Sequence, residues 1–198
     1  MLLSLTHRFI FVANLKSASS AIERALGPHA EFRVSQTKFG KHDDLSTISR
    51  KFAFTKRYVK PSEFFVFGVV REPVDFVLSL YNFHTLESFS GKAHSSKGVP
   101  FEEFWNGWCS RSWQARSQHP RFIDKRGRLR VSHIIDFAQL ASEFPKICER
   151  IGVTAKLPKA NVSPPILKRS DLSPQQIEDI KQRYADDYEF LKNRPYAL

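Results

Sequence analysis

The stretch Phe9–Leu26, FIFVANLKSASSAIERAL, changes character halfway along. It opens as a short, almost unbroken apolar run and closes with Ala21, Ile22, Ala25 and Leu26 at helical spacing, ended by Gly27-Pro28. The run at 8–13 suits a strand buried on both faces, as in a parallel sheet, and the stripe suits an amphipathic helix. Between them lie Lys16 and the small residues Ser17, Ala18, Ser19 and Ser20. A helix start exposes unpaired N–H groups and the positive end of its dipole, so it stabilises an anion. Small side chains let that anion approach the backbone, the serines can add hydroxyl donors, and Lys16 can add a full charge. A Walker phosphate loop needs two glycines that are missing here, which argues against an ordinary P-loop NTPase and a small nucleotide kinase. The plainer alternative is a serine N-cap beside a solvated lysine.

A second strand–helix unit repeats the arrangement. FFVFGVV (64–70) is another buried apolar run, Pro73 stands where a first helical residue belongs, and Val74, Val77, Leu78 and Tyr81 continue the stripe. Strand–helix alternation argues an α/β fold. Arg71 falls just past the strand end, where open α/β sheets bind ligands, and it could hold a phosphate bidentately. Ser79 follows two helical turns on and could add a hydroxyl. Ion pairing of Arg71 with Glu72 or Asp75 is the competing reading.

Further along, 100–109 reads as a short helix and 131–135 as a strand. Residues 137–151 carry helical spacing ended by Gly152. A last helix starts at Ser173-Pro174 with Gln176 completing a capping box, and Ile177, Ile180, Tyr184, Tyr188 and Leu191 form its buried stripe. The basic stretch 111–130 holds six arginines and has Trp105, Trp108 and Trp113 nearby, so it could form an acceptor groove or simply a solvated face with core tryptophans.

Bulk properties bound the partners. The chain has 198 residues, which suits one domain, and 31 basic against 20 acidic residues give a net charge of +11. Such a chain prefers anions: a nucleotide, a polyanionic glycan, nucleic acid or an anionic membrane surface. Cys109 and Cys148 make no disulfide framework, which points to a reducing compartment. No apolar run reaches the ~18 residues of a spanning helix. With no recognisable leader, a cytoplasmic location is expected.

LKSASSA (15–21) and REPVDFVLSLY (71–81) together resemble the two cofactor motifs of the sulfotransferases, in particular the carbohydrate sulfotransferases that include the heparan and chondroitin enzymes. Lys16, Ser17, Ala18, Ser19 and Ser20 match the first motif, where Leu15 replaces a proline. Arg71, Pro73, Ser79 and Tyr81 match the second, where Glu72 replaces asparagine and Phe76 replaces an arginine. FGKHDDLSTI (39–48), between the two motifs, and VSHIIDFAQLASEFPKICERIGV (131–153), KANVSPP (159–165) and the closing segment with Tyr-x-x-Asp-Tyr, beyond them, resemble further family segments in the same order. There Asp136 and Ala138 depart from the family's usual arginine and glutamate.

The resemblance implies a single P-loop-NTPase-like domain with a central parallel sheet flanked by helices. It implies sulfuryl transfer from 3′-phosphoadenosine 5′-phosphosulfate (PAPS) to a hydroxyl acceptor on a carbohydrate, without a metal. Lys16, Ser17, Ala18, Ser19 and Ser20 would bind the phosphosulfate, with Lys16 catalytic, and Arg71 and Ser79 the 3′-phosphate. Lys168, with Arg169, is expected at the cofactor. His42 is the candidate base, with Asp43 or Asp44 to orient its ring; a solvated loop histidine is the alternative. His84, His94, His119 and His133 are weaker candidates. A non-catalytic nucleotide-binding relative and a basic nucleic-acid-binding module stay open, the latter disfavoured.

Overall fold

The computed structural model describes residues 1–35, 41–124, 126–158 and 164–198, the side chains of Ile48 and Lys56 excepted. Residues 39–40 and 159–163, parts of two segments read above, lie outside that set. The strands are β1 Leu2–Ser4, β2 Phe9–Val12, β3 Phe32–Arg33, β4 Phe65–Val70 and β5 His133–Asp136. They form one sheet in the order β3-β1-β2-β4-β5. The helices are α1 Ser19–Leu26, α2 Leu45–Lys51, α3 Pro73–His84, α4 Phe101–Glu103 (continuing as a π-helix, Phe104–Cys109), α5 Leu140–Arg150, α6 Pro174–Arg183 and α7 Ala185–Lys192. None of the described helices is long and apolar enough to cross a membrane.

The two apolar runs form the central strands. β2 and β4 pair in parallel with Phe9 opposite Phe65 and Phe11 opposite Phe67, and β5 extends the parallel set beyond β4. Burial explains the continuous apolar sequence: every residue of β4 is buried. The Phe67 ring packs against Phe11 at 5.3 Å and Phe65 at 5.8 Å between centroids. Gly68 is the one strand position without a side chain because a Cβ there would lie 2.3 Å from the Phe122 ring.

The sheet differs from the expected parallel one in its first strand. Ahead of the strand read at 8–13 lies another that the sequence did not mark: β1 runs antiparallel to both β2 and β3. The chain reverses at Leu5–Arg8, where Arg8 takes a left-handed φ of 50° and the amide of His7 donates to Ser4 Oγ. Glu31 accepts from the amides of Leu5 and Thr6, satisfying donors that the turn leaves unpaired.

The closing helix is also divided. Its capping box forms as expected, with Ser173 Oγ accepting from the Gln176 amide. The helix then breaks at Tyr184, whose backbone leaves helical geometry while its ring is buried and its hydroxyl donates to the Ala115 carbonyl. Tyr184 belongs to an apolar cluster of α3, α4 and α6 that includes Val77, Leu80, Phe104 and Ile180. The sheet, α1 and α5 share the other cluster.

Candidate functional site

Because β2 and β4 are parallel neighbours, their carboxyl ends open on the same side of the sheet. The loop after β2 and Arg71 after β4 are therefore adjacent. Asn14 starts the loop: its buried amide donates to the Val69 carbonyl and to Gln118 Oε1, and its Oδ1 accepts from the Leu15 amide. The loop then takes left-handed backbone at Lys16 (φ 54°) and Ala18 (φ 57°). These are conformations that glycine adopts without cost. Both are non-glycine residues, so the loop carries backbone strain at these two positions. Ala18 is the N-cap of α1 and makes no side-chain cap, so the serine-cap alternative is not realised.

A cavity of about 830 Å³ lies at this edge. Lys16, Ala18, Ser19, Ser20, His42, Arg71, Ser79 and Lys168 all line it, drawn from four separate segments of the chain. Ser17 does not: it is 1% exposed, and its hydroxyl has no partner. Among the described residues, the cations on the wall are Lys16, Lys41, Arg71, Lys168 and Arg169, against the single carboxylate of Asp75.

Lys16 is not a solvated lysine. Its Nζ sits 3.8 Å from the centre of the Phe83 ring, and burial, with Arg71 nearby, lowers its pKa to about 8. Arg71 makes neither ion pair open to it in sequence. Glu72 caps α3 through the Asp75 amide and engages Arg169 and Tyr188. Arg71 instead donates Nη1 to the Lys16 carbonyl at 3.2 Å, stacks on Phe137 at 4.4 Å, and leaves Nε buried without a partner. Burial pulls its guanidinium below the ordinary value.

His42 is fixed by its backbone surroundings, not by an acid. Its Nδ1 lies 3.0 Å from the Ala13 carbonyl, and Arg121 Nη1 donates to its own carbonyl. As Nδ1 can meet that oxygen only as a donor, Nε2 is the basic nitrogen of the neutral ring. Asp44 caps α2 through the Thr47 amide and Asp43 pairs with Lys51, so the orienting role expected of them falls to Ala13. Burial lowers the His42 pKa to about 4.

The acceptor groove expected from 111–130 does not form as a unit. Trp105 is buried beneath Arg183, and Trp108 packs against Phe104 and His84. Trp113 lines the cavity. Arg128 and Arg130 pair with Asp124 at a tight turn closed by the Ile123–Leu129 bridge. They border a second hollow of about 1220 Å³ beside α2, which none of the nine predicted site residues lines. The weaker histidines have structural partners: His133 meets Glu143, His119 meets Asp187, and His84 meets the His94 carbonyl.

Gln118 and Asp187 escaped the sequence reading. The Gln118 amide accepts from the Arg71 N–H and donates to the Arg71 carbonyl at 2.7 Å. Asp187, fully buried, accepts from the Gln118 and His119 amides. A buried carboxylate with donors on both oxygens is a strong local anchor. Only the Tyr-x-x-Asp-Tyr spacing hinted at it.

The fold and site thus define an α/β protein with a five-stranded mixed sheet and a cation-lined cavity at its parallel strand ends. No protein-family model, no curated protein and no solved structure matches the chain.

Proposed function

We propose that this protein is a sulfotransferase of P-loop-like architecture that moves a sulfuryl group from PAPS to a hydroxyl on a carbohydrate acceptor. One observation carries the reading: Lys16 and Arg71, each from one of two resembling motifs, meet through a hydrogen bond on the wall of one cavity. A ligand with anionic groups at separate points suits a wall with five cations and one carboxylate. The Arg71 Nε, buried without a partner among the described residues, fits the same polar ligand, since buried polar atoms ordinarily have partners.

PAPS, when bound, supplies the sulfuryl group and departs as its desulfated form, PAP. Lys16, with the positive end of the α1 dipole, stabilises charge on the departing oxygen. Its lowered pKa strengthens it as a donor while leaving it cationic at neutral pH. Ser19 and Ser20 add hydroxyl donors. Arg71, Ser79 and Lys168 hold the 3′-phosphate side. His42 accepts the acceptor's proton at Nε2, and a bound anion nearby raises the basicity of that nitrogen. Trp113, on the cavity wall, is the aromatic candidate for contact with an acceptor sugar. The buried free thiols Cys109 and Cys148 suit the cytoplasmic location that belongs to this reading.

A second reading, nucleotide binding without transfer, draws on Phe76. It is buried in the apolar core where the resembling family carries an arginine. Turnover decides between them. With labelled PAPS and a panel of glycans, transfer that falls at least 100-fold in Lys16→Ala supports the enzyme. Tight PAP binding with no transfer to any acceptor supports the second reading.

A further inference from the structure

Lys41 stands next to His42 and lines the same cavity, yet nothing in its sequence setting marks it. Its Nζ donates to Ser20 Oγ at 2.9 Å and to Glu23 Oε2 at 2.8 Å. An ammonium only donates, so Ser20 is the acceptor in that bond. The hydroxyl proton of Ser20 must then point away from Lys41, free to be given to something else.

Glu23 gives the arrangement its firmness. It lies three residues after Ser20 on α1, 2% exposed, and also pairs with the Met1 ammonium and, at 3.6 Å, with Arg33 Nη2. Burial pushes its carboxyl up, but hydrogen bonds led by that from Lys41 hold it below its ordinary value. An ionised, buried carboxylate fixes the ammonium in place. Lys41 therefore differs from Lys16, whose ammonium rests on the Phe83 ring. Lys16 is placed to neutralise an anion, and Lys41 to organise the group that binds it.

We propose that Lys41 is a positioning residue: it sets Ser20 as a hydrogen-bond donor to the bound phosphate and ties the phosphate loop to the segment carrying His42. The tie is double. Lys41 anchors on α1 through Ser20 and Glu23, and His42 anchors on the end of β2 through Ala13. Two consecutive residues thus hold the base and the phosphate loop in one frame, which favours a preorganised site. The inference rests on the PAPS reading.

The test is a double-mutant cycle read by calorimetry with PAP on the full chain, using Ser20→Ala, Lys41→Met and the pair. Each single change should weaken PAP about 10-fold, the scale of one hydrogen bond to a charged group. The pair should lose no more than the larger single loss, and Lys41→Arg should restore most of the affinity. Losses that multiply to about 100-fold, or a Lys41→Met variant that binds PAP like wild type, would overturn the proposal. A purely structural Lys41 would lower Tm without this coupling to Ser20. Should Lys41→Met not fold, Lys41→Gln completes the cycle, with the same outcomes deciding. Wild-type protein that fails to bind PAP overturns the cofactor reading and this inference with it, whereas binding with independent losses overturns only this inference.

Discussion

Arg71 donates its Nη1 to the backbone carbonyl of Lys16 at 3.2 Å, so the end of β4 holds the loop that follows β2. The carbonyl it holds belongs to a residue in left-handed backbone, and Ala18 two positions on is left-handed as well. Such backbone costs a non-glycine residue about 1–2 kcal/mol. Hydrogen bonds from Arg71 to the Lys16 carbonyl, from the Leu15 amide to Asn14, and from Asn14 to Gln118 hold this strained loop in place.

Ala18→Gly tests that strain. An alanine-to-glycine change ordinarily destabilises by adding freedom to the unfolded chain. Here relief of the left-handed backbone offsets that loss. Denaturant unfolding should show stability unchanged or raised by up to ~1 kcal/mol. A loss above ~1 kcal/mol would show that Ala18 is not strained.

Lys16 should weaken the ligand-free fold. Its folded pKa of about 8 lies below the ordinary lysine value, so the unfolded chain binds the proton more tightly. Below pH 8 the full cost is present; it fades as pH rises through the window up to the unfolded value near 10.5. Lys16→Met should therefore be more stable than wild type at pH 7, by on the order of 2 kcal/mol. The gap should close above about pH 10. Chemical denaturation at a series of pH values measures it, and an unchanging gap would contradict the assignment.

His42 gives the opposite limb of the pH curve. Its folded pKa of about 4 lies below the ordinary 6.5, so the native state stays neutral where the unfolded chain takes a proton. Stability is full above 6.5 and is lost as pH falls from 6.5 toward 4, by up to ~3 kcal/mol. His42→Gln should flatten that acid limb. An NMR titration should place the ring near 4 without ligand and higher with PAP bound, because a nearby anion favours the imidazolium. An unmoved titration would remove His42 from the ligand's surroundings.

Asp187 and Gln118 should prove separable. Asp187→Ala strips the acceptor from the buried Gln118 amide and from the half-buried His119 amide and ring, and should cost about 3 kcal/mol. Gln118→Ala releases the Arg71 backbone, so it should weaken PAP severalfold in calorimetry with a smaller loss of stability. Equal PAP affinity in Gln118→Ala would show that Arg71 holds its place unaided.

The parts of this fold legible in the sequence are those with strong local signals. The buried runs at 9–12 and 65–70 read as strands because both faces are covered, and Pro73 and Ser173 marked helix starts by their own chemistry. The hairpin at Leu5–Arg8 was hidden because its turn uses no glycine or proline. The break at Tyr184 was hidden because the apolar spacing continues through it. The cavity residues were legible where motif and chemistry coincided, at Lys16, Arg71 and His42. Gln118, Asp187 and Lys41 act through contacts 69, 69 and 21 residues away in sequence, which no local pattern records.

The most direct measurement of the central claim compares PAP with ADP by calorimetry on wild type and Arg71→Ala. The account predicts that wild type prefers PAP at least 10-fold, the worth of one charged contact, and that Arg71→Ala removes most of that preference. Equal affinity of wild type for the two nucleotides would contradict it.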